Sequence, residues 1–202
     1  MTDLEAAWAR LRPDDPGLGA DLLSRWREPH RRYHTVEHLA FMLDVIDRHA
    51  DLADDPDAVR LAAWFHDAVY DPRAADNEER SVELAVAALQ SPQRDEVARL
   101  IRLTKDHKAR TGDRNGGLLC DADLAILASS RERYDAYAHS VREEYAFVPE
   151  DAYRFGRAHV LQQLLDLPAL FHVVPERDAW TARAHTNLGA EIDRLTTLPG
   201  AS

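Results

Sequence analysis

The sequence contains a single cysteine, two lysines and eight glycines in 202 residues, and it has no long apolar run. Each scarcity excludes something. Cys120 cannot form an internal disulfide, and among the leucines of LLCDAD it reads as a small buried hydrophobe rather than a nucleophile. Nowhere do 18 apolar residues stand together, and MTDLEAAWAR lacks a basic segment followed by an apolar one. Neither a membrane span nor a signal peptide is therefore expected, which points to the cytoplasm. The glycines form no phosphate-cradling GxxxxGK[ST] loop. Internal repeats, heptads and strictly alternating segments are also missing, so neither a solenoid nor a sheet protein is indicated. With Lys105 and Lys108 the only lysines and a net charge of −11, nucleic-acid binding is disfavoured. A phosphorylated small molecule is not, because a bound divalent cation and nearby arginines can reverse the field locally.

What is present is helix. The length and 45% hydrophobic content suit one all-α domain spanning 1–202. Short helices are expected in DLEAAWARL and LGADLLSRW, bounded by prolines. Leu39, Met42, Leu43 and Ile46 form the apolar stripe of an amphipathic helix over 35–49, which also carries His38. The stretch 58–69, AVRLAAWFHDAV, is apolar almost all round and predicts a central helix containing His66 and Asp67. Asn77 is a candidate N-cap for EERSVELAVAALQ, and Ser91-Pro92 marks a break before DEVARLIRLT. The polar segment KDHKARTGDRNGG predicts a loop, followed by a buried helix over 118–127. A helical pair over about 131–165 and a final helix over about 177–195 complete the pattern. Trp8, Trp26, Trp64 and Trp180 read as core, with Trp64 placed to floor a site beside His66. Histidines 30, 49, 139, 159, 172 and 185 read as ordinary surface or core residues.

An adjacent histidine and aspartate inside an apolar helix are costly unless hydrogen-bonded, paired or bound to metal. His38 on the preceding helix would return beside His66 in an antiparallel pair, and Asp121 and Asp123 interrupt another buried helix. Imidazole and carboxylate together suit one divalent transition ion, Mn, Fe, Co, Ni or Zn, better than calcium.

These residues, in RRYHTVEH, AAWFHDAVYD, NEERS and LLCDADLAIL, resemble the HD superfamily of metal-dependent phosphohydrolases, and in particular a small bacterial branch of it. The resemblance covers about residues 31–127 and the C-terminal helices more loosely. It implies a helical bundle with metal ligands at His38, His66, Asp67 and one aspartate of DAD. Asp123 fits that role better than Asp121, which would point about 200° away on a helix. His34, one helical turn before His38, is a further candidate for ligating metal, orienting a ligand or touching phosphate. His107 is expected at the substrate, and Glu78, Glu79 or Asp67 is expected to handle protons. Arg31, Arg32 and Arg80 are the candidate phosphate clamps. The resemblance implies hydrolysis of a small phosphate ester, nucleotides included, by hydroxide attacking phosphorus in line.

Two other readings stand beside it. A metal- or nucleotide-binding domain without turnover would keep the same residues. His34-Thr35-Val36-Glu37-His38 also matches the HxxEH signature of zinc metallopeptidases, with Glu37 as general base. Amphipathic helices do not say whether an apolar face meets a second copy, so a homodimer stays open.

Overall fold

The computed structural model describes residues 2–90 and 92–197, and the described residues contain ten α-helices and no strand. The helices are α1 (Leu4–Leu11), α2 (Pro16–Trp26), α3 (Val36–Arg48), α4 (Pro56–Phe65), α5 (Asn77–Ala88), α6 (Gln93–Leu103), α7 (Arg114–Leu124), α8 (Arg131–Glu144), α9 (Glu150–Leu165) and α10 (Arg177–Thr196). Two 3₁₀ turns, Ala50–Leu52 and Ala125–Ala128, follow α3 and α7. Among the described residues no helix is long and apolar enough to cross a membrane.

Caps written into the sequence start most of these helices. Asp3, Asp15, Thr35, Asp55, Asp113 and Ser130 each accept a backbone N–H of the first turn. Such a cap satisfies a donor that has no intrahelical partner. Two boundaries differ from the sequence expectation because of them. With Asp55 as cap and Pro56 at the first helical position, α4 begins inside the proline-containing break and ends at Phe65. His66 and Asp67 therefore lie at its C-terminal end rather than within it. Asp113 likewise draws RNGG, read as loop, into the first turn of α7. Glycine is needed there for close packing: a Cβ on Gly116 would stand 2.7 Å from Leu103, and one on Gly117 would stand 2.8 Å from Val173. Asn77 is the first residue of α5 and does not cap it; its side-chain amide instead bonds both backbone groups of Asp71 and fixes the preceding loop. The break expected at Ser91-Pro92 lies partly outside the described residues, since Ser91 is not among them, and α6 starts two residues later.

Helix α4 sits at the centre, against α3, α5, α6 and α7, and α8 and α10 pack over the turn after α7. All seven hydrophobic residues from Leu61 to Phe65 together with Ala58 and Val59 are buried, as a helix apolar on every side requires. The stripe of α3 is buried with it, and one continuous core results. Cys120 is buried in that core as expected, and so are Trp8, Trp26 and Trp64, while Trp180 packs at its edge.

Candidate metal centre

His38 on the first turn of α3, His66 at the end of α4 and Asp123 on the last turn of α7 meet at one buried point. Each offers one ligand atom, the three atoms lie within 4.8 Å of one another, and the group could hold a metal ion. The packing of α3 against α4 brings the two imidazole centroids to 5.6 Å. Helix C-terminal ends, which α4 and α7 both present here, favour a cation.

Distances and directions disagree in an informative way. His38 Nε2 is 3.2 Å from Asp123 Oδ1, and His66 Nε2 is 3.1 Å from Asp67 Oδ2. Both nitrogens are nevertheless buried without a hydrogen-bond partner, because their directions do not suit N–H···O bonds. Lone pairs converging between groups, rather than aimed at one another, are what ligands of a shared ion require, and an orphaned buried polar atom is otherwise costly. His66 Nδ1–H donates to Ala63 O at 2.9 Å, which leaves Nε2 as the free nitrogen. His38 lacks such support: its Nδ1 is also buried and unpartnered, and its ring is held by packing on Tyr33 and Trp26. Trp26, not Trp64, floors the site, with its ring 5.5 Å from His66. Trp64 instead packs edge-on against Trp8.

Electrostatics follow the same geometry. Burial disfavours charge on His66, but Asp67 and then Asp123 outweigh it and raise its pKa to about 9. Burial holds His38 below the ordinary imidazole value. Burial alone would raise Asp123, yet its contacts with His107 and His38 keep it well below the usual carboxylate range. Asp67 is lowered as well, His66 overcoming burial.

The structure places the other expected residues unevenly. Asp67 stands beside the group of three, 3.9 Å from His34 Nε2. His107 reaches the site from the loop after α6, where Nε2–H donates to Asp123 Oδ2 at 2.8 Å. It does so from a left-handed backbone conformation, φ 55°, that costs a non-glycine residue about 1 kcal/mol. Asp121 is turned away, as helical geometry required, and its oxygens accept the N–H groups of His172, Val173 and Val174. That carboxylate closes the 166–176 segment onto α7 and is not available to an ion.

The arginine expectations are corrected. Arg31 is buried between Trp26 and Tyr70 and donates to Glu28, His34 O and Asp67 O, so it braces the backbone behind the cluster. Arg32 bonds the carbonyls of Pro29 and Arg31 and lines a smaller pocket with His38, Arg80 is exposed, and neither lines the cleft over Asp123. Glu79 pairs with Arg102 on the surface, and Glu78 is half-buried and outside the cleft lining. Glu37 of the metallopeptidase signature is exposed and lines a smaller pocket with His38, outside the cleft over Asp123.

A cleft of about 530 Å³ opens over Asp123 and His107. Its cations are Lys105, Lys108 and Arg157, and His34, Tyr33 and Tyr137 also line it. Arg157 is held from behind, Nε and Nη2 donating to Glu191, which also accepts from Tyr134.

The residue that the sequence reading missed is Glu144. In the charged run RERYDAYAHSVREEY it carries the pattern of a solvated helix face, yet it is 4% exposed. Its Oε1 accepts the N–H groups of Arg32, Tyr33 and His34, and its Oε2 accepts from His34 Nδ1 and the Tyr70 hydroxyl. Burial by itself would raise its pKa, but His34 and these N–H groups bring it from the ordinary 4.5 to about 2. A carboxyl lowered in the folded state stabilises it above pH 4.5 and loses that contribution as the pH falls towards 2. Glu144→Ala should therefore lower stability at neutral pH by roughly 3 kcal/mol and flatten the acid limb of the Tm–pH curve between 4.5 and 2. Calorimetry across that range checks it, and an unchanged acid limb would contradict the role given to Glu144.

No family model matches the chain, and neither a curated protein nor a solved structure matches it.

Proposed function

We propose that this protein is a metal-dependent phosphohydrolase acting on a small phosphate ester, with His38, His66, Asp67 and Asp123 around one divalent transition ion. The observation that carries the reading is the convergence of unpartnered buried nitrogens of His38 and His66 on Asp123, at the floor of a cation-bearing cleft. The donor set of imidazole and carboxylate suits Mn, Fe, Co, Ni or Zn. When bound, such an ion lowers the pKa of a water and neutralises phosphate oxygens.

The chain's own residues supply the remainder. Lys105, Lys108 and Arg157 offset substrate charge, and Glu191 presets the guanidinium so that less freedom is lost on binding. His34, fixed through Nδ1 by Glu144, presents Nε2 towards Asp67 and the cleft, where it can hold a proton near the reacting oxygens. The resemblance to HD phosphohydrolases at the same residues supports the reading.

Purified protein reconstituted with manganese, nickel or zinc is expected to hold one ion per chain by plasma mass spectrometry and to release phosphate from members of a phosphomonoester panel. Ion retained with no release from any ester would leave a binding domain. No ion retained would overturn the reading.

A further inference from the structure

We propose that the cleft selects phosphomonoesters whose alcohol portion is uncharged and largely apolar, over pyrophosphate, di- and triphosphates and esters of small hydrophilic alcohols. This rests on the phosphohydrolase reading and deepens it. Beyond Asp123 the cleft continues along Leu124, Ile126 and Leu127 and faces Val160, Leu164 and Leu167 on and after α9. Apolar side chains thus make up a large part of the lining beside its charged groups, and Tyr33 and Tyr137, edge to face at 4.5 Å, add aromatic surface to it. A volume of about 530 Å³ far exceeds one phosphate and matches a ligand with a ring-sized body. Water against such surface is displaced favourably by an apolar group and not by a second phosphate or a polyol.

Charge points the same way. Lys105, Lys108 and Arg157 are matched in number by Asp106, Asp123 and Asp166 in the lining. These formal charges cancel, so a bound divalent ion is the net positive charge that the lining offers to a phosphate dianion. Asp67 beside the cluster and Glu191 behind Arg157 add only negative charge. A second phosphate would enter the cleft uncompensated, at the cost of desolvating it.

The test is calorimetric titration of the manganese-loaded protein with phenylphosphonate and methylphosphonate, which share the anionic group and differ in the body. Steady-state release from phenyl phosphate, glycerol phosphate and pyrophosphate runs alongside. Phenylphosphonate is expected to bind tens of times more tightly, as burial of one ring implies. Leu164→Asn should cut that preference to a few-fold, with methylphosphonate affinity and metal content unchanged. Val160→Asn, at a more exposed position in the same lining, should act in the same direction if Leu164→Asn weakens the fold. Equal phosphonate affinities, a preference untouched by both variants, or pyrophosphate released as fast as phenyl phosphate would overturn the selectivity while leaving the phosphohydrolase standing. Absence of bound metal, with neither phosphonate binding, would remove both.

Discussion

Asp123→Asn should lose the bound ion and lower phosphate release by about a thousandfold, while Asp121→Ala, two residues away, should keep the ion and lose stability instead. Asp123 is the carboxylate shared by His38, His66 and His107, so an amide there removes charge from the centre of the cluster. A metal worth several kcal/mol of transition-state stabilisation is lost with it. The fold should tolerate the change, because a half-buried carboxylate gives way to a neutral group of the same shape. Asp121 holds three backbone N–H groups of the 172–174 segment. Leaving them unpaired in the interior should cost about 3 kcal/mol or more, a Tm lower by roughly 10 °C. Metal content, phosphate release and thermal unfolding of the two variants decide the matter. If Asp121→Ala loses the ion with its fold intact, or Asp123→Asn keeps it, the assignment of the two aspartates is reversed.

With metal removed by chelation, the protein should become less stable as pH rises from 6.5 to 9, and with metal present it should gain relative stability over the same range. His66 is raised in the folded state, to about 9, by the charge of Asp67 acting against burial. A group raised on folding contributes fully below its unfolded value near 6.5 and loses that contribution as pH passes through the folded value. The loss amounts to roughly 3 kcal/mol. The depression of Asp67 is the same attraction seen from its partner and adds nothing further. An ion needs the Nε2 lone pair that the proton occupies, so its affinity should rise about tenfold per pH unit until His66 is deprotonated. The Tm gap between loaded and chelated protein should widen accordingly, and His66→Gln should remove both slopes. Chelated wild type whose Tm climbs from pH 6.5 to 9 would show that His66 is not held as an imidazolium between Asp67 and Asp123.

The helical class and the three residues that could hold a metal were legible because their signals are local. A period of three and four in α3, an all-round apolar α4 and a histidine and aspartate where nothing polar belongs need no knowledge of the partner helix. Boundaries shifted where caps decided them: Asp55 with Pro56 moved the start of α4 from 58 to 56, and Asp113 moved that of α7 from 118 to 114. The choice of Asp123 over Asp121 was half-legible, since helical rotation separates the two but does not say which faces α3 and α4.

The charged residues were the least legible. Arg31 and Arg32 precede His34 in the chain and looked like phosphate clamps, yet Arg31 turns inward between Trp26 and Tyr70. Lys105 and Lys108, the only lysines in an arginine-rich chain, flank His107 and were a signal available from sequence. Glu144 gave none, and Arg157 gave only a loose resemblance to a position patterned in the same bacterial branch. Each is buried only because residues far along the chain meet it: Glu144 receives the 32–34 backbone, and Arg157 receives Glu191 of α10.

The sequence by itself determined that the chain is helical, that α4 is central and that His38, His66 and an aspartate of the DAD triplet belong together, because periodicity and the expense of burying polar groups act within one helix. Tertiary structure alone decided which arginine faces the cleft, that Asp121 is taken up by the 172–174 backbone and that Glu144 is a buried hub, because a charged side chain takes its direction from partners that only folding brings within reach.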